Sequence, residues 1–464
     1  MGYNNLVIRN IKISIFILVS LLLLVMSLYY LDIQLYIPDY WWSVLFLTFI
    51  LVIFFLRIVN GFLWVSIYSL FFFTTLIFIC SRFFVNFLGD WNYGIDELDF
   101  FIYKKLGGAE FSQLFYLIII IIISLELGYY FSRILLKKND EIDFNLLKFN
   151  GYFLVVLSLL IWIPLLYSAI TSFFKVSSSG YTELYSSQLS SYGFDFFSLL
   201  YTFSLVLTGI YLNQSNKVSR LFFVFLMGVY YFILFLSGIR GGFICYLLFI
   251  MWYINGYGLF QKYSNIKLML YLMGLGGVVI FLFKMISLRT LDDNNSLGLI
   301  LSIQDFLYSQ GVTLLVFYES IILEDYPIIP YFQNFIPGFS FFYSQLIEPI
   351  DGYNKNFGQY LSYELNPIAY QNGYGLGWSI FSDLYLYSFK VIPIFAVLCM
   401  IFSFFINYLQ LKSNGNTFYR IILTSSVISI LFLPRAGLNT FIPLLIYTVA
   451  TIVILMFLGR YKNI

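Results

Sequence analysis

The sequence predicts an all-α polytopic membrane protein of about twelve transmembrane helices with one large outer loop. Three observations predict it. First, 61% of the 464 residues are hydrophobic and only 10% are charged, with a mean hydropathy of +0.88, whereas soluble domains carry about 25% charged residues. Second, apolar runs near the length needed to cross a bilayer recur along the chain. Third, basic residues are partitioned between alternate loops. The same values exclude a soluble globular protein, a disordered chain and a nucleic-acid binder with a basic face. A net charge of +2 gives no lead to a partner.

Residues 13–31 form the first run, after Arg9 and Lys12. A basic start resembles a signal peptide, but the run is of span length and no small-residue cleavage site follows. It reads as a retained span with a cytoplasmic N-terminus. Further spans are predicted at 41–56, 62–80, 114–131 (containing Glu126), 151–174, 196–212, 221–236, 242–260, 268–283, 391–409, 421–433 and 441–458. With this count both termini are cytoplasmic in an inner membrane. Fifteen of the 25 basic residues, among them Arg57, Arg133 and Lys412, then fall in short cytoplasmic loops and tails, while 19 of the 23 acids face out. The apolar run 313–323 holds Glu319 and follows Gly311. Counting it as a span would invert everything after it, so it reads as a helix lying on, or partly re-entering, the outer leaflet.

Residues 1–464 read as one integral membrane domain, with a medium outer loop at 81–113 and a long one at 284–390. The long loop is not low in complexity. Pro327, Pro330, Pro337, Pro349 and Pro367 punctuate it and Gly373, Gly375 and Gly377 follow, so it reads as ordered, with short helices over the outer face. No internal repeat of the solenoid or transporter kind is present.

Candidate chemistry is confined to few residues. There is no histidine, which removes histidine metal sites, general bases and proton relays. Cys80, Cys245 and Cys399 lie in apolar runs as packing residues. No phosphate-binding loop, paired-cysteine spacing or nucleotide fingerprint occurs. Of four outer arginines, Arg82, Arg240, Arg289 and Arg435, three have a telling context. Arg240 sits in a turn with Gly238, Gly241 and Gly242, Arg435 in Pro434-Arg435-Ala436-Gly437, and Arg289 follows the ninth predicted span. Glycine lets backbone and ligand approach closely, and the guanidinium fork suits phosphate oxygens. The plainer role for such arginines is snorkelling to headgroups or capping helix C-termini. Lys284 and Lys390 read as interface anchors. Without histidine, a carboxylate is the natural base for a hydroxyl. Asp383, beside an apolar helix start, is the first candidate ahead of Asp292, Asp293, Asp305 and Glu319. Glu126 reads as a snorkelling or paired residue. Aromatics such as Phe341-Phe342-Tyr343 serve as belt or core packing, or stack on sugar faces.

Together these features resemble the Wzy-type O-antigen polymerases, or oligosaccharide repeat-unit polymerases. The resemblance covers the architecture, the arginine–glycine turn Ser237–Gly242, the stretch Asp305–Gly311, and Gly375, Gly377, Ser379, Asp383 and Tyr385. This last set loosely fills the family's Gly-x-Gly-x-Ser pattern, with Asp where Glu is commoner. Pro434–Gly437 fits a second arginine turn. The resemblance implies a GT-C-like fold and transfer of a growing chain from polyprenyl pyrophosphate to the non-reducing end of an incoming lipid-linked unit, without metal or cofactor. It also implies a chain-length regulator as a further candidate partner. Under it, Arg240 and Arg435 clamp pyrophosphate, Arg289 assists at the loop entrance, and Asp383 is base or acceptor-positioning group. Two other readings stay open. An O-antigen ligase of the usual kind carries a functional histidine in its large loop. A flippase of lipid-linked oligosaccharides normally has short loops and charged span interiors.

Overall fold

In the computed structural model the chain is helical, with no strand among the described residues. The structure describes residues 2–35, 37–61, 63–88, 94–95, 102, 105–136, 151–179, 196–214, 217–256, 274, 277 and 299–460. Eight helices are long and apolar enough to cross a membrane: Ile8–Tyr30, Asp39–Val59, Gly108–Leu135, Val156–Ser178, Phe196–Asn213, Ile392–Ser413, Thr417–Arg435 and Leu438–Phe457. A ninth candidate is the pair Ile67–Phe78 and Ser81–Leu88, bent by 59°. The protein is therefore a multi-pass membrane protein. Nine of the twelve predicted spans coincide with these. Predicted spans 221–236 and 242–260 correspond to the helices Lys217–Leu236 and Arg240–Gly256. The apolar stretch of the first, Arg220–Leu236, falls below full span length. The span predicted at 268–283 lies, apart from Gly274 and Gly277, outside the described residues, so the full count of twelve is not established.

The chain divides into two compact units. The first comprises residues 1–137, 264–323 and 378–408. Its helices are α1 (Gly2–Tyr30), α2 (Asp39–Val59), α3 (Ile67–Phe78), α4 (Ser81–Leu88) and α5 (Gly108–Leu135). After the second unit's first segment come α10 (Leu299–Gln310), α11 (Thr313–Ile322), α16 (Ile380–Tyr387) and most of α17 (Ile392–Ser413). The second unit comprises 138–263, 324–377 and 409–464. It holds α6 (Gly151–Ser179), α7 (Phe196–Gln214), α8 (Lys217–Leu236), α9 (Arg240–Gly256), α18 (Thr417–Phe432) and α19 (Ile442–Arg460). The short helices α12 (Ile328–Gln333), α13 (Phe339–Leu346), α14 (Phe357–Leu365) and α15 (Pro367–Gln371) also belong to it. The described residues of the long predicted loop are shared between the two units.

In the first unit α5 is the central element. Six consecutive isoleucines, Ile118–Ile123, make it apolar all round, and such a helix is buried rather than lipid-facing; 94% of its most apolar window is buried. Leu35 N–H donates to Ser112 Oγ at 3.1 Å and Tyr116 OH to Ile33 O at 3.0 Å, which ties the end of α1 to the start of α5. Gly128 gives α5 a notch for α17, where a Cβ would lie 2.1 Å from Met400 O. Beside the notch Ser403 Oγ donates to Leu125 O at 2.6 Å and Asn407 hydrogen-bonds Ser132. Small residues with flanking polar groups are the usual means of joining helices where no hydrophobic effect drives them together. The second unit repeats the device on α7 and α18. Gly209 faces Ser425 and Asn213 Nδ2 donates to Thr424 Oγ1 at 3.2 Å. Gly128→Ala is expected to lower the thermal unfolding temperature of detergent-solubilised protein by overpacking, at or above the usual cost of about 1–3 kcal/mol, because the clashing atom is backbone. Gly352→Ala, whose Cβ meets nothing closer than Tyr370 OH at 4.0 Å, is expected to change it little.

Two sequence expectations need correction. Of the two placements open to the run 313–323, lying on the leaflet surface does not fit, whereas partial re-entry buried in protein stays open. Thr313, Leu314, Leu315, Val316, Phe317, Tyr318 and Ser320 are buried, and α11 packs beside α16, with Ser320 and Ser382 hydroxyls 2.8 Å apart. Its four successive apolar residues leave it no polar face to present to headgroups. Arg57, counted among the loop cations, is instead in the last turn of α2 and fully buried. It pairs with Glu126 of α5, so of the two roles open to Glu126 pairing is the one observed.

Candidate functional site

The first arginine turn is built by how α8 stops. Gly238 N–H donates to Phe235 O at 3.0 Å and Ile239 N–H to Leu234 O at 2.9 Å. This is the paired closure of a helix C-terminus by a left-handed residue. Gly238, at φ +95°, is that residue, and a side chain there would be strained. Ser237 Oγ donates to Ile233 O at 2.9 Å, adding to the closure. The chain then reverses directly into α9, whose first residue is Arg240.

Gly241 and Gly242 are needed for packing. A Cβ on Gly241 would lie 2.5 Å from Cε2 of Phe432, and one on Gly242 would lie 3.3 Å from the Tyr231 ring. The start of α9 is therefore pressed against the end of α18 on one side and against α8 on the other. Phe432 is the last residue of α18, and the 3-10 turn Leu433–Arg435 follows at once, with Pro434 in its first turn. Arg240 and Arg435 are thereby brought to one end of the α9–α18 pair, both half-buried. Gly437 adopts φ −97°, ψ 173°, which any residue can adopt, so no backbone requirement explains it. Chemically, a helix start offers backbone N–H groups that have no partner within the helix, together with the positive end of its dipole. With two guanidinium groups beside it, the arrangement suits an anion such as phosphate.

Asp383 belongs to the first unit. Ser379 caps α16 by accepting from Phe381 N–H at 3.2 Å, and Asp383 lies in the first turn, where a carboxylate favours the helix dipole. It is 1% exposed, not a solvated surface charge, and Trp378 Nε1–H donates to its Oδ1 at 2.8 Å. Gly377 at φ +81° delivers Trp378 to that position. Burial raises the Tyr385 phenol above its ordinary value, and its hydroxyl is hydrogen-bonded to Tyr29. Arg289, Lys284, Asp292 and Asp293 lie outside the described residues. Lys390 is an anchor of a different kind from a lipid contact. Its Nζ donates to Leu323 O at 3.0 Å, closing the C-terminus of α11. Arg82 is also structural. It is buried on α4, donates to Ile95 O at 3.0 Å, and stands 4.4 Å over the Tyr308 ring. Among the described residues no group of three Cys, Asp or Glu side chains is placed to hold a metal ion.

A family profile described as O-antigen polysaccharide polymerase Wzy matches residues 10–463. The chain belongs to that family. No curated protein and no solved structure matches it. The match runs through every element described above, including both arginine turns and the Gly375–Tyr385 segment. Membership supports an O-antigen polymerase role, with lipid-linked oligosaccharides as its class of substrate, over the ligase and flippase readings. Sequence reading missed two features of this Wzy-family chain. Trp378, five residues before Asp383, gave no signal beyond its proximity. The Arg57–Glu126 pair joins residues 69 apart.

Proposed function

We propose that the protein polymerises lipid-linked oligosaccharide repeat units into O-antigen or capsule-type surface polysaccharide. The growing chain leaves its polyprenyl pyrophosphate and joins the non-reducing end of an incoming lipid-linked unit. A hydroxyl oxygen of the acceptor forms a bond to the anomeric carbon of the donor as the bond from that carbon to pyrophosphate breaks. The carbon passes through an oxocarbenium-like state, and negative charge grows on the departing pyrophosphate. Arg240 and Arg435, beside the start of α9, meet that charge with donors already in place, so no metal is required in this reading. Asp383, in the first unit, is by itself a candidate base or positioning group for an acceptor hydroxyl, and Trp378 Nε1–H donates to its carboxylate. Arg289 adds a further cation near the loop entrance. The loop-charge pattern supports an inner-membrane protein with both termini cytoplasmic and this face outward.

The observation that carries the proposal is the family match over nearly the whole chain, joined by the convergence of the two arginine turns on one end of a helix pair. Surface-glycan length in a clean deletion strain tests it. The expected result is loss of the long ladder with a single repeat unit still attached. Complete loss of attached glycan, with units trapped inside on their carrier, would instead mean a flippase. Long polymer stranded on its lipid would mean a ligase.

A further inference from the structure

Residues 326–347 contain α12 and α13, joined at Pro337 and Gly338. None of these residues is charged, yet Glu324 and Asp325 precede the segment and Glu348 and Asp351 follow it. The two short helices pack on each other, with the Phe332 and Phe339 rings 5.1 Å apart. One side of α12 is turned inward. Pro330 and Asn334 are buried and the Tyr331 ring meets Phe357 edge-on at 4.8 Å. The other side is bare. Ile328 and Phe332, one turn apart on α12, are 67% and 45% exposed, and Phe335 and Ile336 in the turn that follows are 46% and 48% exposed. Phe342 and Leu346, one turn apart on α13, are 57% and 81% exposed. Apolar faces of this kind mark an interaction surface.

The backbone of the segment indicates what covers that surface. Phe335 and Ile336 N–H both donate to Phe332 O, and Phe339 N–H donates to Ile336 O. Ser340 N–H donates to the Gln333 side-chain oxygen at 2.7 Å, and Pro337 has no N–H at all. A turn facing water has no need to close its donors internally or to use an uncharged amide as a helix cap. A turn immersed in hydrocarbon closes them wherever it can, and over residues 334–340 Gly338 N–H alone makes no such bond. A protein partner would be expected to meet a polar or charged rim, and here charge is absent along the segment and appears only at its two ends. The bilayer is at hand, because the same unit contains four helices of span length among its described residues. At about 1.5 Å per residue neither short helix can cross a core of about 30 Å.

We propose that α12 and α13 form a membrane-seated hairpin whose bare face lies in the hydrocarbon edge of the adjoining bilayer leaflet, with the flanking acids at the water boundary. The hairpin fixes α14 and its neighbours at the membrane surface. The assignment rests on the multi-pass architecture and not on the catalytic reading.

The test uses full-length protein carrying Phe342→Cys or Leu346→Cys, each labelled with a nitroxide and reconstituted in phosphatidylethanolamine–phosphatidylglycerol vesicles without polyprenyl lipid. The native Cys80, Cys245 and Cys399 are buried, and the protein without an added cysteine gives the labelling background. Both new positions are exposed, so core packing is unchanged. Collision with dissolved oxygen is expected to exceed collision with a water-soluble nickel chelate severalfold at both positions, and to fall below it at exposed Gln371→Cys. Nickel collision equal to or above that of oxygen at 342 and 346 would overturn the proposal in favour of a water-facing surface. Exclusion of both reagents would overturn it in favour of a second copy or another protein surface. An oxygen-rich signature that appears only after polyprenyl phosphate is added would overturn it in favour of a substrate-tail site.

Discussion

Replacing Arg57 by methionine is expected to destabilise the protein by about 3–5 kcal/mol, because it leaves the Glu126 carboxylate buried without its countercharge. Folded proteins are stable by only about 5–15 kcal/mol, so this is enough to deplete the protein from the membrane. The arrangement explains the size of the effect. Glu126 Oε1 accepts from Arg57 Nε at 3.0 Å, from Arg57 Nη2, and from Tyr68 OH at 2.8 Å. The guanidinium also lies 3.8 Å from the centroid of the Phe72 ring, a further attraction where water is absent. Neighbouring polar groups are likewise drawn into local contacts. Asn60 Nδ2 donates to Ser14 Oγ at 2.8 Å, and Arg133 donates to Asn60 O at 3.0 Å. Tyr68→Phe removes one hydrogen bond to a charged group and is expected to cost about 1.5–3 kcal/mol. The double variant Arg57→Met, Glu126→Leu removes both charges together and is expected to recover most of the stability lost by the single change. Thermal unfolding in detergent of the parent, Arg57→Met, Glu126→Leu and the double variant closes the cycle. A single variant as stable as the parent, with no coupling between the positions, would mean that water reaches the pair.

The elements legible in the sequence were those whose signal is local. The span at 114–131 and the turn holding Gly238 and Arg240 were legible because each signal lies within a few residues, whereas the burial of Ile118–Ile123 and the left-handed φ of Gly238 are seen only in the fold. The arginine turns were legible for the same reason. Glu126 could be read as paired, but its partner could not. Arg57 ends an apolar run, and charge-partition reasoning assigns such a residue to the adjoining loop, although α3 and α5 close around it. The run 313–323 was kept out of the span count because a span there would invert the charge partition downstream, and that reasoning carries no information on burial: Leu314, Leu315, Val316 and Phe317 are covered by protein. Asp383 was legible as a carboxylate at a helix start. Its burial and its bond to Trp378 depend on Gly377 turning the chain, which spacing alone does not reveal.

Arg240→Lys and Arg435→Lys, made singly, are each expected to cut polymer formation about 10–100-fold in membranes holding normal amounts of protein. That range corresponds to the loss of charge-assisted hydrogen bonds of about 1.5–3 kcal/mol. Lysine keeps the charge but replaces a planar fork by a single rotating ammonium group, so the substitution separates a bidentate clamp from a general need for positive potential. The fold makes the two positions dependent on each other. Gly241 holds the start of α9 against Phe432, and Arg435 lies three residues beyond that contact. If both guanidinium groups grip one pyrophosphate, the double variant should lose less than the product of the single losses, as groups acting as a unit do. Gly241→Ala gives the matching geometric test. Its Cβ must displace the Phe432 ring, so it should lower polymer formation with both arginines intact. Radiolabelled repeat-unit incorporation in isolated membranes reads all four variants. Full activity of Arg240→Lys at normal protein level would remove the clamp, and α9 would then begin with an arginine that serves only the membrane interface.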